Sequence, residues 1–225
     1  MNYDLIEFIK KSSFPCIMAK SVATKGNLQT ITVNDIETIQ NIKSIQEQLY
    51  EFIDNYRANP NKLHSFVLTV QNKIYDFERF EKIFWDFLTK LHEMDKRLFA
   101  HDPRVSSDSR NNDFSFSLKE EAFFILLLHP QSPRWSRRFK YPAIVFNPHQ
   151  QFEKLRVNGT FTKIRDIIRR KDKLLQGNIN PMLDDFGNKS EVFQYTGRAY
   201  SSAEDLPIFT ERVNENHPTT SWSQL

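Results

Sequence analysis

The sequence FSFSLKEEAFFILLLH, residues 114–129, decides the fold of this chain. Its first part, Phe114 to Leu118, alternates phenylalanine with serine, a period of two that is typical of a strand with one buried face. After Lys119 and Glu120, the continuous apolar run from Ala122 to His129 is typical of a strand that is covered on both faces. The charged residues between these segments predict a hairpin turn, so the stretch predicts two neighbouring strands.

Three further segments have the β-branched and aromatic composition of strands. They are Cys16 to Thr24, Ser65 to Val70 and Ala143 to Asn147. Together with the hairpin, they predict a sheet of about five strands.

Apolar residues at helical spacing predict long helices between these strands. One helix follows a capping box formed by Asn34 and Glu37, and it ends at Pro60. A second helix runs from Asp76 to Phe99, with a stripe of phenylalanine and leucine on one side.

Two more helices are predicted after the last strand. One opens at the pair Asn147–Pro148, and the other starts near Thr160. Helices between strands, followed by strands close together in sequence, predict an α+β (mixed α/β) fold: a single domain whose central mixed sheet is packed by helices. We expect the domain to span residues 1–207, and residues 208–225 to form a loosely ordered C-terminal tail.

The composition excludes several classes of protein. Of the 225 residues 39% are hydrophobic, and 20 Phe, 7 Tyr and 3 Trp are more aromatic mass than a disordered chain carries. The net charge of +3 is too small to indicate a surface dedicated to nucleic acid. A single cysteine, Cys16, excludes an intramolecular disulfide and a site built from several thiolates. Without a signal peptide or an apolar run long enough to cross a bilayer, we expect a cytoplasmic protein with no membrane partner.

Common catalytic motifs do not occur in the sequence. It contains no glycine-rich phosphate loop, no His-Glu-x-x-His zinc helix and no Gly-x-Ser-x-Gly nucleophile elbow. Polar residues that could bind a ligand are instead concentrated from Leu128 to Arg156, around two predicted strand ends. They are His129, Arg134, Trp135, Arg137, Arg138, Asn147, His149 and Arg156.

Two histidines in this segment could bind a metal or a haem iron. His129 closes an apolar strand, where a neutral imidazole can act as a ligand. His149 lies in the first turn of a predicted helix, where the positive end of the helix dipole disfavours protonation and keeps a lone pair available. Each also has a plainer interpretation, as a hydrogen-bonded residue at a strand end for His129 and as a solvent-exposed helical residue for His149.

Arginines and the single cysteine are further candidates. Arg134, Arg137 and Arg138 lie between the two histidines and could hold haem propionates or the carboxyl group of an amino acid, or could form a solvated loop. The thiolate of Cys16 could bind haem iron as in cytochromes P450, although a buried, inert cysteine is the commoner outcome.

Five blocks of sequence form a pattern that is specific in order and spacing. They are Phe14-Pro15-Cys16, Ala122-Phe123-Phe124 leading to His129-Pro130, VFNPHQQFEKLR at 145–156, QGNINPML at 176–183 and QYTGRA at 194–199. This pattern resembles the YqcI/YcgG family, and it extends from Phe14 to Tyr200, nearly the whole predicted domain.

The resemblance implies a protein that binds haem b (iron protoporphyrin IX), because the family includes haem-dependent N-hydroxylases that act on guanidino groups. It therefore implies a mono-oxygenase that transfers one oxygen atom from dioxygen to a nitrogen of a small guanidino or amino compound, such as an arginine-like amino acid. The chain has no flavin or nicotinamide fingerprint, so a separate reductase is expected to supply the electrons.

The resemblance also implies which residues form the site. His129 and His149 both fall in matching blocks, and we expect His129 to be the iron ligand because a strand end under apolar residues is a rigid, dry platform. The residues expected to hold propionates or the substrate carboxylate are Arg134, Arg137, Arg138 and Arg156. The candidate partners of a guanidinium, near the C-terminal blocks, are Asp184, Asp185 and Glu191.

Two other functions stay open at this point. The first is a haem-binding protein that carries or senses haem or a gas without turnover, and iron bound by both His129 and His149 would favour it. The second is a nucleic-acid-binding module that uses the basic helix around Arg169 and Arg170. Acidic residues interrupt that helix, so an ordinary amphipathic surface explains it better.

Overall fold

A five-stranded sheet with the order β1-β2-β5-β4-β3 runs through the part of the chain that this computed structural model describes, residues 3–71, 75–202 and Leu206. β1 and β2 are parallel, and every other neighbouring pair is antiparallel. The sheet is therefore mixed, as the sequence predicts. Its strands are β1 (Leu28–Val33), β2 (Ser65–Val70), β3 (Phe116–Leu118), β4 (Glu121–Leu128) and β5 (Ala143–Pro148).

Helices lie over both faces of this sheet. α3 and α4 cover one face, which we call the packed face, and α1, α2, α5 and α6 lie over the other, which we call the cavity face. The single-domain α+β fold agrees with the prediction. The helices are α1 (Tyr3–Lys10), α2 (Ile17–Thr24), α3 (Ile39–Ala58), α4 (Phe77–Asp95), α5 (Gln150–Val157) and α6 (Phe161–Gln176).

Neighbouring residues of β4 separate onto the two faces. Ile125 and Leu127 are fully buried on the packed face, among the side chains of α3 and α4. Leu126 and Leu128 point the other way and line a cavity under α1, α2, α5 and α6. Because side chains alternate along a strand, the unbroken apolar run of β4 supplies an apolar lining to both faces.

The predicted hairpin turn between β3 and β4 is confirmed. Lys119 and Glu120 both adopt left-handed backbone conformations, with φ of +48° and +58°. A two-residue hairpin turn with two positive φ values matches the twist of the strands, although glycine or asparagine is the usual choice there. The main chain of Lys119 is held on both sides: its N–H donates to Asp95 Oδ1 (3.0 Å), and its carbonyl accepts from Arg57 (2.7 Å).

The prediction of a strand from Cys16 to Thr24 was wrong, because these residues form α2. Cys16 caps this helix by accepting a hydrogen bond from the main-chain N–H of Ala19, which satisfies a donor that a helix start leaves free. The fifth strand is instead β1, an edge strand that pairs with β2 from Leu28 to Val33. The sequence did not predict β1 or α1.

Two helix starts also differ from their predictions. Thr38, rather than Asn34, caps α3 by accepting from the N–H of Asn41. Asn147 is part of β5, and its side chain bonds to Ser65 and to the Phe124 carbonyl, so it does not cap α5. Asp76 caps α4 at the predicted place.

The expected tail, residues 208–225, lies outside the described residues. Within the described part of the chain, no helix is both long enough and apolar enough to cross a membrane.

Candidate functional site

A cavity of about 320 Å³ lies between the cavity face of the sheet and the helices above it. This volume is at the lower end of the range of small-molecule sites, about 300–1,000 Å³. Its floor is formed by residues of β2, β4 and β5 that point to the cavity face, such as Val67, Leu126 and Val145. Its sides are formed by apolar residues of α1 and α6, such as Phe8 and Ile164. Most of the lining is therefore apolar.

Cys16 is part of the cavity lining. Its Sγ accepts from the N–H of Ala19 at 3.4 Å, at the start of α2. Burial raises the pKa of this thiol, while the N–H groups of Ala19 and Met18 and the charge of Lys20 act in the opposite direction. Cys16 thus combines a place in an apolar lining with a helix start whose amides can stabilise a thiolate.

Arg137 brings a buried positive charge to the cavity wall. Its Nη1 donates to the carbonyl of Tyr195 (2.6 Å), and its Nη2 donates to the carbonyl of Gln194 (2.7 Å). Gly197, with a φ of +78°, packs so closely that a Cβ there would lie 3.0 Å from Arg137 Cδ. Burial lowers the pKa of Arg137 to about 10, against the favourable effect of Asp172. Its hydrogen bonds therefore hold the guanidinium in place but end on carbonyls, and Asp172 compensates its charge only in part.

Arg134 and Asp172 form a buried ion pair in the same wall. Arg134 also donates to the side chain (2.6 Å) and the carbonyl (2.9 Å) of Asn178, within one of the blocks identified in the sequence. Two buried atoms of the pair, Arg134 Nε and Asp172 Oδ1, have no hydrogen-bond partner in the described structure. The sequence did not single out Asp172 as a site residue. Its place on a basic amphipathic helix predicts only an interruption of the positive charge of that helix.

The other two predicted arginines have different positions. Arg156 lines the cavity, pairs with Glu153, and lies over the ring of Phe161 at 4.2 Å. Arg138 is exposed and outside the lining; it donates to the Ser132 carbonyl (2.8 Å) and lies over the Trp135 ring.

His129 lies on the packed face of the sheet, away from the cavity. Its ring stands between Phe77 and Phe80, with centroid distances of 5.6 and 5.7 Å. Its Nδ1 accepts from the N–H of Gln131 (3.1 Å), and burial lowers its pKa. The reason for this position is the alternation of β4: Leu128 points into the cavity, so the next residue points to the other face.

His149 lies at the start of α5, behind the cavity wall. Its Nε2 is 3.4 Å from Glu191 Oε1 and 3.8 Å from Glu153 Oε1. Its ring contacts Phe186 at a centroid distance of 4.4 Å. The two histidines are therefore on opposite sides of the sheet, and the fold does not bring them together.

The three predicted carboxylates line the cavity, but each has partners within the chain. Asp185 pairs with Arg165 and Arg169. Asp184 accepts from Asn188, which is the main reason that its pKa is lowered. Glu191 accepts from Ser115 (2.9 Å) and is the nearer carboxylate to His149. Among the described residues, no group of three or more His, Cys, Asp or Glu side chains is arranged to hold a metal ion.

Comparison with known proteins gives a family but no assigned activity. The model of the YqcI/YcgG family matches residues 5–208. The uncharacterized protein YcgG of Bacillus subtilis (strain 168) is 30% identical over 118 residues, 51% of this chain and 46% of YcgG, so the match spans about half of that relative. The uncharacterized protein YqcI of the same organism is 25% identical over 190 residues, 81% of this chain and 74% of YqcI. No solved structure matches the chain.

Proposed function

Since the chain belongs to the YqcI/YcgG family, we propose that it is a haem-dependent mono-oxygenase whose cavity holds haem b and a small guanidino or amino compound. The observation that carries the proposal is the combination of Cys16 and Arg137 in one apolar cavity. Arg137 is a buried cation whose hydrogen bonds end on carbonyls, which is unfavourable unless a ligand neutralises it, and Cys16 adds a thiol that can bind iron.

Cys16, rather than His129, is the iron ligand in this proposal. Of the three side chains considered from the sequence, Cys16 lines the cavity, whereas His129 packs between phenylalanine rings on the other face and His149 is turned toward Glu191. The buried thiol would lose its proton on binding iron, because a coordinating thiol is deprotonated outright. When bound, haem would supply the activation of dioxygen for the transfer of one oxygen atom to nitrogen.

The protein's own groups would bind and orient the ligands. Arg137 offers a fixed fork of donors for a carboxylate, either a haem propionate or the substrate's carboxyl group. Apolar residues such as Phe14 and Leu126 would exclude water from the reacting atoms. We also propose that electrons come from a separate reductase and that the protein works in the cytoplasm, where a single thiol stays reduced.

The test is the absorption spectrum of the protein expressed with a haem precursor, in the ferric, ferrous and ferrous-carbonyl forms. A pyridine haemochromogen assay gives the stoichiometry. We expect near-stoichiometric haem b with a thiolate-type carbonyl band. A colourless protein that cannot be reconstituted would contradict the proposal.

Matched variants identify the ligand. Cys16→Ser should abolish haem binding or remove the thiolate-type band, while His129→Ala should keep the wild-type spectrum. The reverse pattern would return the ligand role to His129, and loss of the spectrum only in His149→Ala would give it to His149.

Haem-loaded protein with a reductant is then tested for hydroxylation of arginine-like compounds by mass spectrometry. Haem without turnover of any guanidino or amino compound would leave a carrier or sensor.

A further inference from the structure

The outer side of α6 is basic, whereas the helices on the other face of the sheet are acidic. α6 carries six lysine and arginine residues and two aspartates, while α3 and α4 together carry five basic and eight acidic residues. The two aspartates that interrupt α6 do not offset its outer charge: Asp172 is buried and pairs with Arg134, and Asp166 pairs with its neighbour Arg165. The small net charge of the chain is therefore spread unevenly over its two sides.

Basic side chains from three segments meet where α2 packs against α6. Lys20 of α2 donates to the carbonyl of Lys11, just after α1 (2.7 Å). Desolvation, and then the charge of Lys171 on α6, lower the pKa of Lys20. We call the side chains of these three lysines and of Arg170, the neighbour of Lys171, the basic surface. Among the described residues, no carboxylate forms an ion pair with them. Like charges held together in this way favour an anionic partner.

An exposed apolar side chain lies within the basic surface. Leu174 is 81% exposed, and on the helix it neighbours Arg170, four residues before it, and Lys171, three residues before it. Protein interfaces combine an apolar centre with a charged rim, whereas the phosphates of a nucleic acid need only the cations. A leucine among cations therefore favours an acidic protein as the partner.

The basic surface adjoins the proposed iron ligand. The N–H of Lys20 donates to the carbonyl of Cys16 (3.2 Å), in the first turn of α2. We propose that the basic surface docks an acidic electron-carrier protein, whose carboxylates pair with the four cations and whose apolar contact covers Leu174. The inference rests on the proposed function for the destination of the electrons. In each encounter the reduced carrier loses one electron, and the ferric iron of the haem gains it.

Two carriers of opposite charge test the docking. An acidic two-iron ferredoxin is the probe, and cytochrome c, a basic carrier of similar size, is the control. Isothermal titration of the purified full-length protein at low salt should give ferredoxin an affinity at least about tenfold higher than cytochrome c. Raising the salt from about 20 to about 200 mM should remove most of this binding, because the attraction is then screened. Equal affinity of the two carriers, or ferredoxin binding that salt does not weaken, would overturn the proposal.

Charge reversal locates the surface. Arg170→Glu with Lys171→Glu should weaken ferredoxin binding at least about tenfold. Lys43→Glu with Lys82→Glu is the matched control, because it makes the same change of charge at exposed residues of α3 and α4, and it should bind ferredoxin as the wild type does. Arg170→Gln with Lys171→Gln guards against misfolding and should give a smaller loss in the same direction. Equal losses in the reversal variant and its control would show that only the net charge matters, and the assignment would be wrong.

Leu174→Ala separates a protein partner from a nucleic acid. It should weaken ferredoxin binding several-fold and leave the salt dependence unchanged, because it removes an apolar contact and no charge. A short DNA duplex is the competing probe. Salt-sensitive binding of the duplex, together with ferredoxin binding that Leu174→Ala does not change, would assign the surface to a nucleic acid and overturn the proposal.

The rate of haem reduction separates this inference from the proposed function. In haem-loaded protein, ferredoxin should reduce the variant Arg170→Glu with Lys171→Glu at least about tenfold more slowly than the wild type. Photoreduction with the neutral compound deazariboflavin, which needs no docking, should be equally fast in both. Ferredoxin binding that the reversal removes, in a protein that holds no haem, would retain the docking surface and reject the mono-oxygenase. Haem that ferredoxin reduces at the same rate in both proteins would retain the haem and reject the docking surface.

Discussion

The packed face and the cavity face of the sheet are made from alternate residues of the same strands, yet their surroundings differ. On the packed face, Phe80, Phe84 and Phe87 of α4 are fully buried against the sheet. On the cavity face, Phe124 and Leu126 stay partly exposed because the helices above them leave a space.

The cavity face also has charged side chains around its open space. The cavity wall contains the ion pair of Arg134 and Asp172 and the charge of Arg137, whose hydrogen bonds end on carbonyls, and all three residues are buried. Burying charges in this way costs stability, whereas burying phenylalanine supplies it. The packed face therefore stabilises the domain, and its stability allows the cavity face to keep open space and buried charges for a ligand.

The largest effect is expected when the buried ion pair of the cavity face is broken. Asp172→Asn leaves the Arg134 charge buried without a carboxylate, which should lower the free energy of unfolding by about 3–5 kcal/mol. Adding Arg134→Gln should restore part of this loss, because the Arg134 charge is then removed together with its carboxylate partner. Urea unfolding of the two variants and of Asp166→Asn, the control at an exposed position of α6, measures both effects. A loss as small as that of Asp166→Asn would show that the pair is hydrated, and the contrast between the faces would fail.

A second prediction compares neighbours on β4 that point to opposite faces. Leu127→Ala opens a void in the packed face and should cost about 3 kcal/mol. Leu126→Ala makes the same change beside an existing cavity and should cost about half of that, since this side chain is only partly buried. Chemical denaturation of the two variants gives the difference directly. Equal losses would mean that the cavity face is packed as tightly as the other.

On the packed face, a buried carboxyl group should make the stability of the protein depend on pH. Asp95, at the end of α4, accepts from Tyr50 and from the N–H of Lys119, but burial outweighs these bonds and raises its pKa from 3.8 to about 6. The folded protein thus binds more protons than the unfolded chain between these pH values, so this group's contribution to stability falls as pH rises through that window.

Asp95→Asn removes this pH dependence and should raise the free energy of unfolding at pH 7 by about 1–2 kcal/mol, after allowance for partial solvent screening. Unfolding free energies of wild type and variant across the acidic to neutral range test it. A variant curve that stays parallel to that of wild type would contradict the prediction.

The smallest effect is expected at the hairpin turn between β3 and β4. Glu120 has a φ of +58°, which is strained for a residue with a side chain. Glu120→Gly should therefore stabilise the protein by about 1 kcal/mol, while Glu120→Ala, the control, keeps the strain. Thermal unfolding at one pH compares the two. A glycine variant no more stable than the alanine variant would show that the turn's hydrogen bonds already offset the strain.

Most of the fold could be predicted from the sequence, because its main elements have strong local patterns. β2 has the predicted bounds, and the hairpin turn and the Asp76 cap of α4 occur where the sequence places them. The misses, α1, α2 and β1, are segments of six to eight residues. Such a segment is too short for its period to be distinguished, so its surroundings decide its structure.

The candidate site could be predicted only in part. Arg134, Arg137 and Arg156 line the cavity, as expected of residues that bind a ligand, but His129 lies on the opposite face. Asp172 resembles a surface residue in the sequence, because its burial depends on Arg134 from a distant segment. No local sequence pattern indicates the face on which His129 lies or the burial of Asp172.

The sequence by itself therefore determined four of the five strands of the sheet, the alternation that sends Leu126 and Leu127 to opposite faces, and the segments that are rich in polar residues. Only the tertiary structure decided which face closes over a core and which one keeps a cavity. The physical reason is that hydrophobic patterning is local along the chain, whereas a cavity depends on how completely distant helices cover the sheet. α3 and α4 bring enough phenylalanine and leucine to fill their side, and the shorter helices α1, α2 and α5 together with α6 do not.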